Sequence, residues 1–183
     1  MKIVKINIKN LFLGLLFVGG MSLVNAQVDS TKTTANTAAT TQAGDTSIEG
    51  LKKQIEANPK DTESLAKLAA AYQDASDWTN AVATWKKISV LLPDWAPAYY
   101  SQAYAYQAAK DDANAKIAYE KYIATVKPEE VEQNKKNLAY AYFYLAFSEQ
   151  QSDRNKAKEH IAKSLQYDPT NQDALKLSKT LNS

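Results

Sequence analysis

Residues 62–94 carry Leu65-x-x-Leu68-Ala69-x-x-Tyr72, then Ala81-x-x-x-Trp85, then Pro93. Leu65, Leu68, Ala69 and Tyr72 stand at i, i+3, i+4 and i+7, which is one face of a helix. Asp61 is placed to cap that helix. Asp77 is placed to cap a return helix, whose inner side shows Ala81, Val82, Trp85 and Ile88. Ala69 is small, so the return helix can approach the first closely. The stretch therefore reads as two short helices packed back to back.

The same landmarks recur along the chain. Pro59, Pro93, Pro128 and Pro169 are 34, 35 and 41 residues apart, and Ala81, Ala115 and Ala157 are 34 and 42 apart. The two sets agree on one register and on an insertion of about seven residues before the last unit; self-similarity at this period marks a solenoid. The order of large apolar residue, Leu, small residue, Tyr, Ala, aromatic and Pro resembles the tetratricopeptide repeat. The resemblance covers about residues 47–181. It implies an all-α, right-handed α-solenoid of antiparallel helix pairs, with about three repeats at 61–94, 95–128 and 129–169. A half repeat at 47–60 and a terminal helix at 170–182 would cap its two ends.

Each unit carries its own departures. Thr46-x-x-Glu49 reads as a capping box ahead of Ile48, Leu51 and Ile55. In the second repeat Gln102 stands where Leu is usual and Tyr122 where a small residue is usual, so looser or shifted packing is expected there. In the third, Pro128-Glu129-Glu130 opens a helix that nothing breaks before Gln151, an extension of roughly two turns. Glu149 replaces the Tyr of the pattern. Ala146 and Ala157 are 11 residues apart where the earlier pairs are 12, so the turn is one residue tighter. Ser152-Asp153 would cap its return helix, and Lys176 and Lys179 give the terminal helix a polar outer face.

Ahead of the array lie two further segments. Residues 1–26 show a secretory signal pattern: Lys2, Lys5 and Lys9, an apolar run at 11–21, and small residues before cleavage after Ala26. The run is shorter than the ~20 residues of a membrane span, so no membrane insertion is expected once it is removed. Residues 27–46 are rich in Thr, Ala and Asn and read as a disordered linker. Within it, Asp29-Ser30-Thr31 resembles a short O-glycosylation sequon of exported bacterial proteins. The expected destination is the periplasm or the exterior, and the resemblance is to the exported bacterial type.

Composition narrows the function. The chain has 183 residues, no Cys and a formal charge of +2, which becomes −1 without Lys2, Lys5 and Lys9. A phosphate backbone needs a basic surplus, so no nucleic-acid partner is expected. Without Cys there are no disulfides, thiolate chemistry or lipid attachment of the lipoprotein kind. No phosphate loop, HExxH or G-x-S-x-G is present, so no enzyme, cofactor or metal is expected. The one His, His160, reads as a solvated surface residue, and Asp111-Asp112 as a cap followed by a first-turn acid.

The eleven Tyr are the informative feature. Seven fall in two clusters: Tyr99, Tyr100, Tyr104 and Tyr106, and Tyr140, Tyr142 and Tyr144. In tetratricopeptide arrays the first helices line a concave groove. The resemblance puts Ala66, Ala70 and Gln73 there from the first repeat, Tyr100, Tyr104 and Gln107 from the second, and Phe143, Phe147 and Gln150 from the third. It implies an aromatic groove beside a row of Gln, suited to an extended peptide or an amphipathic helix of a protein partner. Only Lys67 lies near it, unlike the basic clamps that grip a terminal carboxylate. The alternatives are that the protein's own helices fill the groove, that the chain self-assembles as a structural envelope protein, or that Tyr with Trp78 and Trp95 stacks on envelope polysaccharide.

Overall fold

The computed structural model describes residues 45–183. The segment read as an export signal, and most of that read as a linker, lie outside the described residues. The elements run α1 (Ile48–Ala57), α2 (Thr62–Asp74), α3 (Trp78–Leu91), α4 (Ala96–Ala108), α5 (Asp112–Thr125), a short 3-10 turn (Pro128–Glu130), α6 (Val131–Glu149), α7 (Arg154–Tyr167) and α8 (Gln172–Asn182). Among the described residues there is no strand. Each helix packs on its neighbour in sequence, and the pairs α2/α3, α4/α5 and α6/α7 are the three repeats. The solenoid reading holds.

Small residues set the spacing of each pair. Ala69, Ala103 and Ala146 on the first helices and Ala81, Ala115 and Ala157 on the return helices all have 0% exposure. A larger side chain at these crossings would force the helices apart. The N-caps follow the aspartates: Asp61, Asp77, Asp111 and Asp153 each accept a backbone N–H of the first turn. The first helix differs from the expected capping box. Ser47, not Thr46, is its N-cap, and the Ser47 hydroxyl accepts the Gly50 N–H at 3.1 Å. Asp45 Oδ1 in turn accepts the Ser47 N–H, so the chain enters the helix one residue later.

The turns inside the first two repeats are the same turn. Asp77 N–H donates to Tyr72 O at 2.8 Å and Asp111 N–H to Tyr106 O at 2.9 Å. Ser76 and Lys110 sit between them in the left-handed region, at φ 56° and 60°. These are Schellman closures with a side chain where glycine is usual. In the third repeat Asp153 N–H donates directly to Glu149 O at 2.8 Å. That tighter turn, read from the alanine spacing, does without the left-handed residue. Lys110→Gly is therefore expected to stabilise the protein by about 0.5–1 kcal/mol, the left-handed penalty less the added chain entropy. A lower urea midpoint for the variant would contradict this.

The insertion lengthens α6 to 19 residues against 13 in α2 and α4. Its first turns pack on the second repeat. Tyr122 is fully buried, lies edge-on to Tyr100 at 5.1 Å and donates its hydroxyl to Asn134 Oδ1 at 3.2 Å. Val131 packs on the same cluster. Of the two expectations at Tyr122, the packing is shifted onto α6 and is not looser. The longer α6 builds the pocket that the larger residue needs. Gln102 is likewise buried.

Candidate functional site

Successive first helices present equivalent positions: Ala70, Tyr104 and Phe147 in one row, Ala66, Tyr100 and Phe143 in the next, and Gln73, Gln107 and Gln150 in a third. The helical repeat alone puts each trio on one face. Their environments differ. Tyr104 and Phe147 are exposed, at 47% and 55%. Trp78, at the start of α3, lies edge-on to Tyr104 at 6.2 Å. Phe143 is half-buried, stacked on Phe147 at 6.3 Å and tilted to Tyr140 at 6.4 Å. It also packs on the cluster that joins α7 and α8.

Tyr100 points the other way, into the protein. It is half-buried and lies edge-on to Tyr119 at 5.8 Å and to Tyr122. Burial pushes its hydroxyl pKa above the usual tyrosine range. Tyr119 is the hub: fully buried, it touches Tyr100, Tyr140 at 5.9 Å and Tyr144 at 4.9 Å. Its hydroxyl donates to Gln107 Oε1 at 3.0 Å. Five of the eleven tyrosines are buried, five are half-buried, and Tyr104 alone is exposed.

Each member of the Gln row makes an internal hydrogen bond. Gln73 Oε1 accepts the Trp85 indole N–H at 2.8 Å. Gln107 Nε2 donates to the Tyr140 hydroxyl oxygen at 2.8 Å, while its Oε1 serves Tyr119. Gln150 Nε2 donates to Phe147 O at 2.9 Å. The first two pairings repeat one device, a glutamine on the first helix holding an aromatic twelve residues later on the return helix. The third repeat has Ile161 at that position and breaks the pattern.

A second cluster was not foreseen. Glu149, at the position of Tyr72 and Tyr106, is buried with a 2%-exposed side chain. Its Oε1 is 2.7 Å from Lys116 Nζ of α5 and 3.4 Å from Lys156 Nζ of α7. The Lys116 approach is an ion pair rather than an aligned hydrogen bond. Its Oε2 meets His160 Nδ1 at 2.7 Å. Burial alone would push the carboxyl up, but Lys116 and His160 outweigh it and hold it below the usual carboxylate value. The expectation of a solvated His160 is corrected: its side chain is 17% exposed and lies 5.9 Å from the Tyr142 ring. A Glu in a tyrosine position was the available signal. It had to be read together with charges on two other helices.

Asp111 caps α5 as expected, and Asp112 accepts the Tyr144 hydroxyl at 2.9 Å. Among the described residues no group of His, Asp and Glu is arranged to hold a metal ion, and no helix is long and apolar enough to cross a membrane.

Residues 97–126 match the tetratricopeptide-repeat family model. No curated protein matches in sequence. Among solved structures, the fold is similar to the C-terminal part of a TPR repeat-containing protein from Cytophaga hutchinsonii, at 28% identity and TM-score 0.64, over 71% of this chain and 52% of that one. The chain thus spans about half of that structure's length. It is also similar to MamA, at 26% identity and TM-score 0.61, over 73% of this chain and 69% of that one. A third is the first TPR domain of Spaghetti (RPAP3) bound to the HSP90 peptide SRMEEVD, at 17% identity and TM-score 0.53, over 66% and 90% of the two chains. That last likeness is one of fold. With residues 97–126 matched and the same helix pair recurring before and after them, the chain has the tetratricopeptide-repeat fold.

Proposed function

We propose that the chain is an exported, non-enzymatic adaptor that receives a segment of another protein on the aromatic track of its first helices. The observation that carries this reading is the exposure of Tyr104 and Phe147 at equivalent positions of α4 and α6. Trp78 and Phe143 extend the track on either side. Rings held in place on helices offer contact area at low entropy cost, and aromatics dominate the energetics of such contacts. Export to the periplasm or the exterior is supported by the signal pattern of residues 1–26.

The test is the double variant Tyr104→Ala with Phe147→Ala. Both rings are surface residues, so melting should shift by no more than about 0.5 kcal/mol per site. Photo-crosslinked capture of a partner from envelope extract should fall at least about tenfold. Capture that is unchanged by the double variant would sink the groove reading. Self-assembly is the second reading, favoured by Val90 and Ile117, which stand 80% and 61% exposed on α3 and α5. Sedimentation over a range of concentrations decides it.

A further inference from the structure

Resting on the groove reading above, we infer that the segment received is an amphipathic α-helix with an uncharged docking face, rather than an extended peptide. The first argument is charge. α4 contains no charged residue at all, α6 has none from Asn137 to Ser148, and α2 has none from Leu68 to Gln73. Lys67, at the edge, is paired with Glu63 at 2.8 Å. A carboxylate or ammonium brought onto this face would lose water and find no opposite charge.

The second argument is hydrogen bonding. An extended chain lying in a groove presents its own N–H and C=O groups, and those that lose water need partners. Both ends of the Gln107 amide are held by Tyr119 and Tyr140, and the Gln73 carbonyl oxygen already accepts from Trp85. Gln150 donates to its own helix. The Tyr140 hydroxyl is taken up by Gln107 and the Tyr144 hydroxyl by Asp112. A helix arrives with its backbone bonded internally and asks only for apolar contact along one stripe. The third argument is relief. The exposed row runs Ala70, Tyr104, Phe147 from the first repeat to the third, so the track steps down by an aromatic side chain at Ala70, with Trp78 beside the step. A cylinder with bulky residues on one end of its apolar stripe fits that step.

The experiment uses the full chain and a phage-displayed library of peptides about 16 residues long, enough for about four helical turns. Selected peptides are measured by fluorescence anisotropy against the wild type and against Tyr104→Ala with Phe147→Ala. Far-ultraviolet circular dichroism reads their conformation when bound. The expected result is a set of peptides that gain helicity on binding and carry an uncharged apolar stripe. They should weaken at least about tenfold against the double variant, and by a similar factor when a proline is placed mid-peptide. Peptides that depend on the ring pair yet bind without gaining helicity, tolerate the proline or place charges on the docking face would overturn the helix inference and leave the groove reading standing. A library that yields no peptide sensitive to the ring pair would overturn both.

Discussion

Tyr119→Ala is expected to cost about 3–5 kcal/mol, enough to leave little of the folded array, since a domain of this size has only about 5–15 kcal/mol in hand. The side chain has no exposed surface and lies against Tyr100, Tyr140 and Tyr144, which come from two other helices. Its removal opens a cavity that three rigid rings cannot collapse to fill. It also strips Gln107 Oε1 of one of its two tyrosine hydroxyl contacts. Tyr119→Phe keeps the volume and loses only the hydroxyl bond, so it should cost about 1 kcal/mol. Urea denaturation followed by circular dichroism separates the two. An alanine variant no weaker than the phenylalanine one would show that the ring cluster is not what holds the second and third repeats together.

The repeat architecture was open to reading because it rests on short-range chemistry. Prolines end helices and alanines permit close crossings wherever they stand, and both recur at fixed spacing here. The exposed pair Tyr104 and Phe147 was reachable by the same equivalence. What the chain hides is commitment. Whether Gln107 is free depends on residues twelve and thirty-three positions away, Tyr119 and Tyr140, and whether Tyr100 faces out or in depends on Tyr119 and Tyr122 of the return helix. The spacing of Gln73 to Trp85, repeated in Gln107 to Tyr119, was a usable clue to the first of these. Glu149 is harder still, because its partners come from α5 and α7 and no local pattern announces a buried acid.

Acidification should weaken the array through Glu149, and Glu149→Gln should remove that part of the acid sensitivity. Burial pushes its carboxyl up, but Lys116 and His160 hold it below its ordinary value of 4.5. In the unfolded chain it returns to that value. Its contribution is therefore complete above the ordinary carboxylate pKa and is lost as the pH falls through the lower folded one. Unfolding free energy measured from about pH 7 to about pH 3 should drop more steeply for the wild type than for Glu149→Gln. Parallel curves would refute the role assigned to Glu149. At neutral pH, Lys116→Met removes the closest cation from a buried carboxylate and should cost about 3 kcal/mol. Lys156 and His160 remain beside the charge and limit the loss.

The bonds across the two repeat junctions differ in kind. Between the second and third repeats run Gln107 to Tyr140, Tyr144 to Asp112 and Lys116 to Glu149. Between the first and second, Trp78 rests on Tyr104 and the Lys86 ammonium sits 5.5 Å over the Tyr106 ring. Directional bonds resist sliding, whereas ring faces tolerate it with little change in energy. The last two repeats are therefore cross-linked by directional bonds, whereas the α3–α4 junction is a greased seam, held by helix packing and ring contact.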